Sequence, residues 1–376
     1  MIWTLALRNL VFDRVRLAVA LTGIAFAVLL AGAQLGLYVG ASKLITNMID
    51  HTGGDLWVMH TGTESFEEGL PMLGPRERSQ ATSTPGVGIV TPMVVSFGDW
   101  VRPSVGLVHI LVVGADFGAG GIKPWQLDAG GWADVRAPQG IAVDSSYQED
   151  LGLDAVGQTA TIEGSAVRVA GLTKGLRSFT QTPYALMPSA RARSLLKLES
   201  DAATYLVLTL APGANAAAVA RTLTSRVDDI EVITRSQFID RSIKRWLMGT
   251  GAGMALIGGT ILGAIIGVVI VAQILYSSTK DHIREYATLR SIGSTTNYLA
   301  KVILAQAGFA SLMGFAIGMA GVVAIVEASQ TSPLPMLLTS RLVWILLGFT
   351  ILVGALSSIA AIIQIRKADP ASVFAR

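Results

Sequence analysis

Charged and apolar residues are segregated along this chain rather than interleaved. Four stretches carry no Asp, Glu, Lys or Arg: residues 17–42, 246–279, 302–326 and 342–365, of 26, 34, 25 and 24 residues. A helix rises about 1.5 Å per residue and needs about 20 apolar residues to cross a hydrocarbon core about 30 Å thick. The pattern therefore predicts four transmembrane helices. Two other charge-free runs, 79–98 and 202–220, do not qualify. Pro85, Pro92 and three glycines interrupt the first, and Pro212-Gly213-Ala214-Asn215 is a turn signal inside the second. Both are assigned to a folded aqueous domain.

Basic residues beside short loops favour the cytoplasmic face of an inner membrane. Arg8, Arg14 and Arg16 precede the first helix, Lys280, Arg284, Arg290 and Lys301 lie between the second and third, and Arg366, Lys367 and Arg376 follow the fourth. The short loop on the other side, 327–341, has Arg341 as its one basic residue. The termini (1–16 and 366–376) and the 280–301 loop are thus expected in the cytoplasm, and 43–245 in the periplasm. A cleaved signal peptide is the competing reading of the first 30 residues, but the apolar run is too long for one.

Residues 43–245 hold 18 basic and 21 acidic side chains, the composition of a soluble domain. Residues 55–60 alternate, 106–114 reads GLVHILVVG, 159–163 and 167–171 can form a hairpin, and 203–210 reads ATYLVLTL. Helical spacing recurs over 145–151, 189–198 and 214–227, with Asp144 and Ser189 as N-caps. The expected architecture is an α-helical membrane domain of four transmembrane helices with a large α+β extracytoplasmic domain between helices 1 and 2. Two lobes of that domain are expected to join near the glycine-dense stretch 114–131.

Composition narrows the function. A mean hydropathy of +0.55 with 15% charged residues argues against a purely soluble enzyme, and a net charge of +3 is too small and dispersed for a nucleic-acid partner. The chain has no cysteine, which removes thiol catalysis, disulfides and Cys-based metal sites. His51, His60, His109 and His282 are scattered, no HExxH or GxSxG occurs, and Asp228-Asp229-Ile230-Glu231 reads as a solvated turn. No catalytic residue, metal site or bound cofactor is expected. The chain also lacks a GxxxxGK[ST] phosphate loop, so any power drawn from ATP has to come through a separate chain.

The cytoplasmic loop is the informative segment. KDHIREYATLRSIGST, residues 280–295, gathers Ile283, Tyr286, Ala287, Leu289 and Ile292 on one face of a short helix, and Gly293 follows as a C-terminal stop. Such a helix either lies on lipid, docks in a partner's groove, or is a plain connector. Within it, REYATLRSIGS resembles the coupling signature of permeases in the MacB/FtsX/LolC superfamily of ABC transporters. Arg284, Glu285, Tyr286, Leu289, Arg290, Ile292 and Gly293 occupy the matching positions, with Ala287 where many members have glycine. ALRNLVFDRVRLAVALTGIAFAVLL at the start and IRKADPASVFAR at the end are similar to the family's terminal segments. GIAFAVLLAGAQLGLY and GGDLWVM resemble the DevC-type branch.

The resemblance implies a non-catalytic subunit that pairs with a second permease copy or paralogue. It also implies a cytoplasmic ABC ATPase dimer that holds the ATP and magnesium. DevC-like members imply a periplasmic membrane fusion adaptor, an outer-membrane channel and export of a lipid-like or other hydrophobic substrate. The alternative is an FtsX-like transmembrane signalling protein that activates an envelope hydrolase. A hydrolytic membrane enzyme is a third reading, but its polar catalytic cluster is missing.

Helix 2 would measure about 51 Å if continuous, and 236–246 extends its pattern upstream, so a stalk is expected, with a hinge at Gly249, Gly251 and Gly253. Glycines repeat every four residues at Gly32, Gly36 and Gly40, at Gly259, Gly263 and Gly267, and at Gly314 and Gly318. This spacing allows close backbone approach in lipid, at a dimer seam or within one chain. Gln34, Gln273, Gln306 and Gln364 are expected to bond between helices. No intramembrane acid or base marks a proton path.

Overall fold

The computed structural model describes residues 6–7, 12, 14–68, 71–102, 106–118, 120–281, 283–332 and 334–367. The chain divides into two compact units, Ala41–Ala252 and a second made of the segments before and after it. Among the described residues four helices are long and apolar enough to cross a membrane. These are α1 (Arg14–Asp50), α8 (Ala252–Asp281), α10 (Thr296–Ala328) and α11 (Ser340–Lys367).

In the helical unit, α1 is the hub. Ile24 and Val28 share a core with Val271 and Leu275 of α8, Leu299, Ile303, Ala307 and Ala310 of α10, and Ala361 and Ile365 of α11. The outer faces of α8, α10 and α11 leave large apolar side chains uncovered, among them Ile261, Ile265, Ile317 and Trp344. In water that surface would be a liability; a helix that is apolar all round is the sign of a lipid-facing span. Gln306 is buried and Gln34 and Gln364 are half-buried, whereas Gln273 is exposed on α8. Among the described residues none of the four makes the expected interhelical side-chain hydrogen bond.

Among the described residues the α/β unit is built on ten strands. These are β1 (Leu56–His60), β2 (Val87–Arg102), β3 (Gly106–Gly114), β4 (Gln126–Gly130), β5 (Gly140–Asp144), β6 (Thr159–Ile162), β7 (Ser165–Lys174), β8 (Tyr184–Met187), β9 (Tyr205–Leu210) and β10 (Ile230–Thr234). Their order is β10-β1-β9-β2-β3-β8-β5-β7-β4, with β6 pairing both β2 and β7. The β3–β8 and β5–β7 pairs are parallel and the remainder antiparallel. Flanking the sheet are α2 (Pro75–Thr82), α3 (Trp132–Val135), α4 (Gln148–Leu151), α5 (Ser189–Leu195), α6 (Ala216–Thr224) and α7 (Arg235–Ile243).

Sequence pattern explains part of this. GLVHILVVG forms β3 over the expected residues and is buried from Ile110 onward because both faces are covered there. Asp144 caps the turn after β5, accepting from Ser146 N at 3.2 Å. At α5 the cap position belongs to Pro188, and Ser189 is the first helical residue, its hydroxyl donating instead to Asp116 at 2.6 Å. The expected joint between lobes at 114–131 is also corrected. The sheet is continuous through β2, whose first half pairs β9 and whose second half pairs β3.

Two aromatic residues from neighbouring strands far apart in sequence and two from short helices knit the sheet's core. Trp57 and Tyr205 meet at 5.6 Å, Phe66 stacks on Tyr205 at 5.4 Å and Phe238 lies 5.1 Å from Trp57. The last residues of α1 belong to this unit too. Asn47 donates to the carbonyls of Gly175 and Arg177 at 2.7 and 3.0 Å, and His51 stacks on Trp125 at 4.0 Å.

The chain leaves the α/β unit differently from how it enters. The α1 helix is unbroken to Asp50, but the expected stalk before α8 is not continuous. After α7 comes a π-turn, Lys244–Gly249, and the helix stops at Gly251, whose φ of +76° is left-handed. A wide π-turn next to a left-handed glycine cannot propagate α-helical hydrogen bonds, which is why α8 starts afresh at Ala252.

Candidate functional site

The 280–301 loop folds into α9 (Ile283–Ser291) followed by a tight stop. Gly293, at φ +104°, donates its N–H to Arg290 O at 3.1 Å, and Ser294 N–H reaches Leu289 O at 3.0 Å. This is the Schellman pattern, which satisfies two terminal carbonyls and needs a residue without a Cβ. Thr295 then caps α10, accepting from Tyr298 N at 3.3 Å. The helix is therefore fixed at its C-terminal end by backbone geometry.

Its faces are not divided as the spacing alone suggests. Ala287 is buried, and Leu289 packs with Tyr298 against the core of the helical unit. Leu289 is half-buried against that core rather than standing on a wholly free apolar face. Glu285, Thr288 and Ile292, spaced three and four residues apart, form the stripe turned away from the core. Ile292 is 79% exposed. Arg290 is half-buried, and the side chains of Arg284 and Tyr286 lie outside the described residues, as does His282. On the same side of the bundle, Arg16 at the start of α1 pairs with Asp281 at the end of α8 at 2.5 Å.

The spaced glycines meet this chain's own helices. A methyl group on Gly267 would stand 2.7 Å from Ala27 Cβ, one on Gly263 3.0 Å from Leu30 and one on Gly259 3.0 Å from Gln34. On α10, Gly314 would meet Ile24 at 2.6 Å and Gly318 the Ala25 carbonyl oxygen at 2.8 Å. Gly32 faces Val322, Gly40 faces the backbone of Pro335, and Gly36 has Met336 Cβ at 3.7 Å. All eight line the packing of α1 against α8, α10 and the segment before α11.

The α/β unit holds polar features that no local pattern announces. Glu67 is buried and accepts from Tyr184 Oη at 2.6 Å and Thr180 Oγ1 at 2.9 Å. Burial, the largest influence, pushes its carboxyl above the usual carboxylate range despite those bonds. Asp144 is fully buried, accepts from Gly175 N and Leu176 N at 2.6 and 2.8 Å, and pairs with Arg177 at 3.1 Å. The acidic run at 228–231 splits: Asp229 turns at φ +61°, but Glu231 lies in β10 and grips Arg241 through two bonds of 2.6 and 2.5 Å. His109 pairs with Asp99 at 2.7 Å on an exposed strand face, and His60 contacts the Met72 carbonyl. Among the described residues no three His, Asp or Glu side chains converge as a metal site.

Comparison with known proteins places the molecule. Residues 17–226 match the family model of the MacB-like periplasmic core domain, and residues 257–370 match that of the FtsX-like permease C-terminal domain. The chain belongs to the MacB/FtsX/LolC permease superfamily. Its members are typically non-catalytic membrane subunits that work with an ABC ATPase, as transporter permeases or in FtsX-like roles. Four apolar helices and a MacB-like periplasmic domain fit a multi-pass inner-membrane protein.

Solved structures similar to this chain include the periplasmic region of MacB from Actinobacillus actinomycetemcomitans. It is 15% identical, with 54% of this chain and 98% of that one covered and a TM-score of 0.37. The extracellular domain of the noncanonic ABC-type transporter YknZ from Gram-positive bacteria is 13% identical over 48% and 98%, with a TM-score of 0.36. A domain of a putative permease from Porphyromonas gingivalis is 16% identical over 50% and 90%, with a TM-score of 0.32. No curated protein matches the chain significantly.

Proposed function

We propose that this chain is the permease subunit of an ABC transporter, carrying ATP-driven motion from a cytoplasmic ATPase dimer to a periplasmic α/β unit inserted between the first and second spans. The observation that carries the reading is α9. It is a short helix locked by the Gly293 turn, braced inward by Ala287 and Leu289, and turned outward through Glu285, Thr288 and Ile292. That is a form suited to a partner's groove: an exposed apolar tip at one end and an exposed carboxylate two turns away, on a helix packed against the bundle. ATP and magnesium belong to the partner. In this reading both termini are cytoplasmic, a second copy or paralogue completes the permease, and export of a lipid-like substrate through a membrane fusion adaptor and outer-membrane channel follows the DevC-like branch.

The test is co-expression of the full chain with its ATPase and adaptor and recovery through a tag on the permease. Ile292→Asp and Glu285→Lys should lower ATPase recovery about tenfold while leaving the thermal midpoint of the permease unchanged. Leu289→Asp should instead lower that midpoint, because it places a charge against the helical core. Normal ATPase recovery with both outward variants would remove α9 as the docking element. Recovery of the ATPase with an envelope hydrolase in place of the adaptor would move the reading to FtsX-like signalling.

A further inference from the structure

The segment that leads into α8 borders a cavity of about 570 Å³, within the size range of small-molecule sites. The permease reading assigns it nothing. Arg241, Lys244, Arg245, Met248 and Gly249 line one wall at the spacing of a single helix face, with Glu64 and Glu231 opposite. Arg241 is committed to Glu231 and to the Thr63 carbonyl. Arg245 is not. Its Nε donates to Glu68 at 3.0 Å and lies 3.0 Å from Glu64, and its two terminal nitrogens make no hydrogen bond among the described residues. Lys244, exposed beside it, likewise has none there. A methyl group on Gly249 would come to 3.8 Å from Arg245 Nη1, so the glycine leaves that edge of the guanidinium open.

Arg245 thus lines the cavity with its terminal nitrogens unbonded, next to the exposed ammonium of Lys244 and the apolar Met248. A planar fork plus a point charge is the donor set for a phosphate or similar oxyanion. The six charged groups, Glu64, Glu68, Glu231, Arg241, Lys244 and Arg245, sum to zero, which favours a singly charged phosphodiester over a doubly charged monoester. Position selects the rest of the ligand. Gly249 is three residues before α8, so at most about 11 Å of chain separates it from the start of the span. The wide π-turn that presents these residues is a form found often at functional sites.

The geometry points to a binding site for the phosphodiester headgroup of an anionic lipid, built by Lys244, Arg245 and Met248 where the chain enters its second span. The inference rests on α8 being a membrane span and does not depend on ATPase docking or on the transported substrate.

The experiment uses the full chain in a neutral maltoside detergent, titrated calorimetrically with dihexanoyl phosphatidylglycerol, with inorganic phosphate and with dihexanoyl glycerol. Saturable binding of the phosphatidylglycerol is expected, weakened at least tenfold by Lys244→Gln and by Gly249→Leu, which fills the cavity without strain. Arg78→Gln, in a separate surface hollow beside α2, should bind as the parent does. Inorganic phosphate competing as strongly as the lipid would keep the oxyanion site and assign it to a soluble phosphate. Equal binding of dihexanoyl glycerol, no saturable binding, or indifference to both variants would overturn the proposal. Because no ATPase is present, none of these results bears on α9.

Discussion

Single residues in this protein carry opposite pH signatures. Glu67 holds its proton more tightly in the folded chain than in the unfolded one, because burial outweighs the hydrogen bonds from Tyr184 and Thr180. A raised carboxyl contributes stability below the ordinary carboxylate range and loses it as pH climbs through the raised value. Glu67→Gln keeps an acceptor for Tyr184 and cannot ionise. Its thermal midpoint should therefore change less than the parent's between about pH 5 and about pH 8, measured by light scattering of the detergent-solubilised chain; parallel profiles would show that Glu67 ionises freely. Glu231 has the reverse sign: its bonds with Arg241 hold its pKa down, so its contribution is present above the ordinary range and is lost in acid. Among the glycines of α8, Gly258 has nothing within 4 Å, whereas Gly267 abuts Ala27 of α1. Gly267→Leu should cost about 1–3 kcal/mol by overpacking and Gly258→Leu little, read as paired thermal midpoints; equal shifts would place α1 elsewhere.

At the level of elements, the two connections between the units differ in stiffness. One is a single helix, Arg14–Asp50; the other is interrupted by a π-turn and a left-handed glycine. Gly251→Ala forces a Cβ into a conformation that costs about 1 kcal/mol or more. The variant should lower coupled ATPase turnover in the reconstituted complex while ATPase recovery stays normal; unchanged turnover would mean the break is not used. The Schellman turn after α9 sets a parallel expectation. Gly293→Val should loosen the helix end and weaken ATPase recovery without touching the outward stripe. Spacing gave the helix and its glycine stop, since both are local. It did not assign the faces of Leu289 and Ile292, because that choice is made by Tyr298 and the core of the bundle.

For the molecule as a whole, the absence of cysteine provides a clean background for labelling. Ser225→Cys, in the α/β unit, should react with an impermeant maleimide added outside intact cells, and Ser291→Cys, at the end of α9, only after lysis. The reverse pattern would invert the topology. Residues 41–252, expressed alone, should be soluble and folded, since the strands and core aromatics all lie within that unit; a product without fixed β-sheet dichroism would mean that the spans are needed to complete it.

The sequence by itself determined the four long apolar helices, strand β3, the caps at Asp144 and Gly293, and the family. Each of these rests on composition or on short contiguous segments of the chain. Only the tertiary structure decided the rest. It made 87–102 a sixteen-residue strand despite Pro92 and its glycines, because β9 and β3 supply its partners. It buried Glu67 against Tyr184, 117 positions away, and turned Glu231 from an expected turn residue into the partner of Arg241. Burial and pairing of these groups come from contacts distant in sequence, so no window of residues contains them.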